Sequence, residues 1–158
     1  MKAKDQVIPD VRLYKRLLRE RGLKATPQRV AVHEAMLALG HAGADEVAAW
    51  IADHAEVSVS PASVYNILTL LSDLKIYARC SSRGGKMVFD VHARRHLHLY
   101  DTRNHAWRDL EDEELMSWLD GHFKGRRFRG YKIDGFEVQL LCHPTRKSIL
   151  LSQLNNKK

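Results

Sequence analysis

Apolar residues recur at helical spacing through the first half of the chain. Over 9–21, Val11, Tyr14, Leu17 and Leu18 form one stripe, and Gly22 ends it. Thr26-Pro27 has the form of a helix start, a hydroxyl cap followed by proline at the first helical position. It predicts a second helix to about Leu39, closed by Gly40. A third helix is expected over about 44–55, with Val47, Trp50 and Ile51 turned inward. Ser60-Pro61 repeats the cap-plus-proline signal and opens a helix to about Leu74. Val64, Ile67, Leu68, Leu71 and Leu74 share one face of it. Ala62, Ser63, Asn66 and Thr69 fall largely on the other face, which is small, polar and uncharged. Two β-prone runs, Ile76–Cys80 and Met87–Asp90, flank a Gly-Gly turn and read as a hairpin. Helices followed by such a hairpin make a winged helix-turn-helix.

Beyond Asp90 the texture changes. His96–Asp101 and Ala106–Leu110 read as strands, Glu111–Phe123 as a helix with an acidic first turn, and Ile133–Cys142 as a longer strand. The expected class is α+β, an N-terminal winged helix-turn-helix over residues 1–90 followed by a small α/β unit over 91–158. A unit of that size has little core of its own and usually completes it by pairing with another copy, so the α/β unit is expected to dimerise.

Charge sharpens this picture. Lys and Arg number 26 against 19 Asp and Glu, a formal +7 with an isoelectric point near 9.6. Such a balance favours an anionic partner, above all nucleic acid. Residues 9–30 hold seven of the basic side chains and 79–95 five more, while 31–78 hold only Lys75 against six acids. Basic flanks beside a neutral helix suit duplex DNA: the flanks neutralise phosphates, and the helix meets base edges. Ser63, Tyr65, Asn66 and Thr69 are the expected groove contacts, with Lys24 and Arg83 among the flanking cations. A further run, Lys124–Lys132, carries five basic residues in nine with Phe128 and Tyr131 interleaved, and is expected to be a solvated loop between helix and strand, with a second anion-binding surface as the alternative. No apolar run is long enough to span a bilayer, and the first residues lack the apolar stretch of a signal peptide, so a cytoplasmic protein with no membrane partner is expected.

Nine histidines are present, four of them between 92 and 105. His96-Leu-His98 on a strand puts two imidazoles on one face. Asp90 lies shortly before them, Asp109 on what should be the neighbouring strand, and His41 in the loop between the second and third helices. Three imidazoles and two carboxylates suit a five- or six-coordinate first-row divalent ion better than a closed thiolate zinc site. A His-x-His with a carboxylate also occurs in iron oxygenases of the cupin type, but that barrel needs many more strands than this chain offers, so no enzyme is expected.

Four ordered motifs carry a resemblance. Gly22-Leu-Lys-Ala-Thr-Pro-Gln-Arg-Val, Val59-Ser-Pro-Ala-Ser-Val-Tyr-Asn-Ile-Leu, Phe89-Asp90 and His96-Leu-His98 together resemble the ferric uptake regulator (Fur) family over roughly 10–143. The resemblance implies a homodimeric, metal-responsive repressor that binds a double-stranded operator, with one divalent iron, manganese or zinc ion per subunit. It places the sensor ligands on His41, Asp90, His96, His98 and Asp109. It also implies a groove-reaching role for Lys24 and base or phosphate contacts for Tyr65. The family's two Cys-x-x-Cys pairs fall on Asp101 and Asn104 and on Cys142 and Thr145, so a structural four-cysteine zinc is not expected, and Cys142 is expected as a buried remnant. A further family metal site would fall near Arg95, Leu97, Met116 and Asp134, where only Asp134 could bind, so it too is expected to be lost. The chain most resembles a cysteine-poor branch that includes the haem-linked iron response regulator and manganese- or iron-sensing relatives. A haem-responsive or metal-independent regulator, with His92 and His105 as candidate extra ligands, is the alternative reading.

Overall fold

The structure, a computed structural model, describes residues 8–81, 85–133 and 135–145. Two compact units meet between Arg95 and His96, where the sequence reading puts the division after Asp90.

The first unit begins with α1 (Val11–Glu20), capped by the Asp10 carboxylate, which accepts from the Leu13 N–H. Gly22, at φ 71°, takes the left-handed conformation that ends this helix, and the Leu23 N–H then reaches back to the Leu18 carbonyl. α2 (Pro27–Leu39) starts at the Thr26 cap and stops at Gly40. The two-residue strand β1 (His41–Ala42) follows directly, and then α3 (Ala44–His54), where Glu46 accepts from the Gly43 N–H. α4 (Pro61–Asp73) starts at the Ser60 cap. β2 (Ala78–Ser81) and β3 (Met87–Asp90) complete the unit, with sheet order β1–β3–β2, all antiparallel.

One apolar core joins these elements. Tyr14 and Leu18 of α1, Val32 and Met36 of α2, Val47 and Ile51 of α3, and Val64, Leu68 and Leu71 of α4 are all buried in it. Trp50 packs only partly against this core. Ile76 and Tyr77, expected in the hairpin, instead precede β2 and fill the core, where burial outweighs their strand preference. The hairpin is therefore the wing, with a third strand, β1, that the sequence reading treats as loop.

The second unit contains β4 (Leu97–Asp101), β5 (Ala106–Leu110), α5 (Glu113–Phe123), the short strands β6 (Arg127–Phe128) and β7 (Tyr131–Lys132), and β8 (Gln139–Cys142). The main sheet has order β5–β4–β8, with β8 parallel to β4. α5 is capped by Asp112, whose carboxylate accepts from the Leu115 N–H, and Glu113 and Glu114 occupy its first turn. Two expectations need correction. The last strand covers only 139–142, not 133–142, because only that stretch meets β4. The basic run 124–132 is not a plain loop, since β6 and β7 pair as a separate two-stranded hairpin.

Candidate metal centre

Sheet register sets an imidazole against a carboxylate within the first unit. β1 is only two residues long, squeezed between the end of α2 and the start of α3, yet it pairs with β3 so that His41 faces Asp90. The Val91 N–H donates to the Gly40 carbonyl and extends the ladder. His41 Nε2 lies 3.3 Å from Asp90 Oδ2. The Asp90 carboxylate is fully buried, and its other oxygen accepts from the His92 backbone N–H at 2.8 Å, with the His92 ring nitrogen 3.8 Å away. A buried carboxylate needs compensation by donors or a cation, and here imidazoles stand ready to give it.

The second unit repeats the device. In the β4–β5 ladder His98 faces Asp109. His96 sits one residue before β4 rather than within it, as the sequence reading has it, but keeps the two-residue periodicity. Its Nε2 is 3.0 Å from Asp109 Oδ1, and His98 Nε2 is 4.0 Å from the same oxygen. The two imidazole rings meet edge to face with centroids 4.4 Å apart, and Trp107 packs edge-on against His98 at 5.5 Å. Both rings are nearly buried, while the Asp109 side chain keeps a quarter of its surface. Two ring nitrogens and a carboxylate oxygen thus crowd one point. That donor set fits a first-row divalent cation, which would take the place of protons between imidazole and carboxylate.

The positions that the resemblance assigns to cysteine pairs do other work. Asp101 Oδ1 accepts from the backbone N–H groups of Arg103 at 2.9 Å and Asn104 at 3.2 Å, and Oδ2 accepts from Asn104 Nδ2 at 2.7 Å. Burial alone would raise the Asp101 pKa, but these hydrogen bonds and the neighbouring Arg103 charge outweigh it and hold the carboxyl below its usual range. The Thr102 N–H and hydroxyl both donate to the Cys142 carbonyl, at 2.9 and 3.1 Å. Side-chain hydrogen bonds therefore close this end of the sheet. Cys142, expected as a buried remnant, is half-buried. Desolvation, then the Asp101 charge, pushes its thiol up, away from the thiolate that a soft metal would need. Asp134, the remaining candidate of the further site expected to be lost, lies outside the described residues.

The expected DNA contacts divide. Lys24 is exposed, and Arg29 Nη1 holds its carbonyl at 2.7 Å. Ser63 and Asn66 are exposed on α4. Tyr65 is 45% exposed, with its ring set edge-on against the buried Phe89 at 6.1 Å. The Thr69 hydroxyl is buried although the residue is partly exposed on α4, which disfavours that oxygen as a groove contact. Arg83 lies outside the described residues. Trp107, which packs edge-on against His98, is a contributor to the imidazole cluster that the sequence reading missed, and His92, named there only as a candidate extra ligand, donates its backbone N–H to Asp90. No signal in the sequence marks Trp107 for this place. His105 is exposed in the β4–β5 turn, at φ 53°, with Tyr100 Oη 2.8 Å from its Nδ1.

A winged helix-turn-helix with a basic approach and an α/β companion unit defines a DNA-binding regulator of transcription. The ferric uptake regulator family model matches residues 20–139, and the chain belongs to that family. Solved structures share the fold. The Vibrio cholerae ferric uptake regulator superposes with a TM-score of 0.65 at 21% identity, over 83% of this chain and 99% of that one. The Pseudomonas aeruginosa ferric uptake regulator with manganese gives 0.62 at 22% identity, over 82% and 96%. A zinc-bound manganese uptake regulator gives 0.61 at 22% identity, over 82% and 97%. Comparison with curated proteins gave no match. Among the described residues no helix is long and apolar enough to cross a membrane.

Proposed function

We propose that this chain is a cytoplasmic, homodimeric repressor that binds operator DNA in response to one divalent iron, manganese or zinc ion per subunit. His41 and Asp90 from the winged-helix unit, and His96, His98 and Asp109 from the α/β unit, supply the ligands. The observation that carries this reading is the ladder register: each sheet sets an imidazole directly opposite a carboxylate, His41 against Asp90 and His98 against Asp109. The ion supplies the attraction that holds these donors in one arrangement. Lys24, Ser63, Tyr65 and Asn66, together with Arg83, then meet the duplex. The manganese and zinc held by the two relatives above favour a first-row ion. Dimerisation draws support from unfinished packing in the second unit, where α5 buries no residue and Trp118, Leu140 and Leu141 are exposed.

Metal and DNA binding are linked reciprocally, so metal raises DNA affinity by the factor by which DNA raises metal affinity. A coupling of about 5- to 150-fold is typical. The test titrates the full chain with manganese or zinc by calorimetry and measures binding to a duplex selected with the metal-loaded protein. His96→Ala and His41→Ala should each lower metal affinity and metal-dependent DNA affinity, leaving weak nonspecific binding. Wild-type behaviour from both variants refutes the sensor, and wild-type behaviour from His41→Ala alone refutes the shared ligand set.

A further inference from the structure

The basic run Lys124–Lys132 is absorbed neither by the sensor nor by the winged helix. Its β6–β7 hairpin turns through Arg129 at φ 48° and Gly130 at φ 89°, and two positive φ values are what a type I′ turn requires. Glycine adopts this conformation freely, but an L residue such as arginine does so at a cost, and asparagine or aspartate is the usual choice. An arginine at a strained hairpin tip is thus a cation displayed against the backbone's preference.

The register explains what is displayed. Phe128 pairs with Tyr131, and Arg127 with Lys132, so alternate faces of the ribbon carry an aromatic pair and a cationic pair. All nine residues of the run are exposed, Tyr131 by 76% and Phe128 by 48%. Among the described residues Lys124, Arg126, Arg127 and Arg129 make no ion pair. Cations so close together repel one another, and an external polyanion relieves that repulsion.

We propose that the β6–β7 hairpin is a second DNA-contacting element, which binds the phosphate backbone of duplex DNA without reading sequence. Arg126, Arg127 and Arg129 neutralise phosphates. Duplex DNA is favoured over an anionic membrane because one aromatic pair buries too little apolar surface for stable anchoring. The chain also tethers the ribbon to a winged helix that brings DNA to high local concentration. The inference rests on the DNA-binding reading but not on the metal.

The test uses the full chain with metal chelated, a fluorescent random-sequence duplex, and anisotropy over a series of salt concentrations. Each neutralised phosphate adds about 0.9 to the slope of log affinity against log salt. The Arg126→Ala/Arg127→Ala/Arg129→Ala variant should lose about 2 to 3 from that slope. The corresponding triple lysine variant should keep it, because lysine serves a phosphate as a point charge. Unchanged circular dichroism would show that both variants fold. Tyr65→Ala serves as the control. A triple alanine variant with the wild-type slope, beside a weakened Tyr65→Ala, overturns the hairpin proposal and leaves the winged helix standing. Wild-type binding by both variants overturns both readings. Loss of binding to phosphatidylserine vesicles without loss of binding to DNA assigns the hairpin to membranes and overturns the proposal.

Discussion

His33 offers the most direct test of how the first unit is held together. It is fully buried on α2, and its ring stacks on Tyr14 with centroids 4.0 Å apart and planes 11° from parallel. Nε2 lies 2.8 Å from the Pro9 carbonyl, and Nδ1 lies 2.7 Å from the Tyr77 hydroxyl. A carbonyl only accepts, so Nε2 carries the proton and Nδ1 accepts from Tyr77. One neutral imidazole therefore joins the segment entering α1 to the residue that leads into β2. His33→Phe keeps the aromatic volume and the stack but leaves the Tyr77 hydroxyl and the Pro9 carbonyl buried without their partner. Each such loss costs about 1–3 kcal/mol, so the variant should be destabilised by about 2–6 kcal/mol. Urea unfolding near neutral pH, followed by circular dichroism, measures this as a lower midpoint at constant slope. The pH dependence supplies an independent arm. Burial outweighs the pull of Pro9 and Asp10 and holds the His33 pKa below its ordinary 6.5. Above about 6.5 the ring is neutral in both states and the contribution is whole. As pH falls below that value the unfolded chain takes up the proton first, so stability drops until the folded pKa is passed. His33→Phe should lack this component. A variant within about 0.5 kcal/mol of wild type, the ordinary range for surface changes, would refute the reasoning, as would an unaltered acid slope.

Two further outcomes are expected. Thr69→Val should leave DNA affinity unchanged and keep or raise stability, because the hydroxyl it removes is buried with no hydrogen-bond partner among the described residues. A loss of DNA affinity in a binding assay would restore Thr69 to the groove. Asp101→Ala should speed hydrogen exchange at the Arg103 and Asn104 amides, which now lack their acceptor. In wild type the same protection should be full above about pH 3.8 and fade as the pH falls through the depressed folded pKa. Exchange rates equal in variant and wild type would show that the turn holds by other means.

Helix starts were legible because their chemistry is local. Thr26-Pro27 and Ser60-Pro61 cap helices where the residues predict, and the buried stripe Val64, Leu68 and Leu71 follows from helical spacing alone. Strands depending on distant partners were less legible. Nothing near His41 announces a strand, because β1 exists only through its pairing with β3. Ile76 and Tyr77 look like strand residues, but the core between the helices claims them. Five acid and imidazole side chains could be nominated from spacing and resemblance, whereas the opposition of His41 to Asp90 needed the ladder. The hairpin in the basic run hid behind arginine at a turn position where glycine or asparagine would have signalled it. The burial of the Thr69 hydroxyl was not legible because helical periodicity gives an angle around the axis, not the depth to which neighbours cover it.

Backbone pairing, rather than a shaped cavity, sets each acid against its imidazole. A slip of one residue along either ladder would turn a donor to the opposite face and dismantle the arrangement. Replacing a donor in place moves no strand. Metal preference in such a scaffold can therefore drift by single codon changes, imidazole for carboxylate or the reverse, while the frame that reads DNA stays as it was.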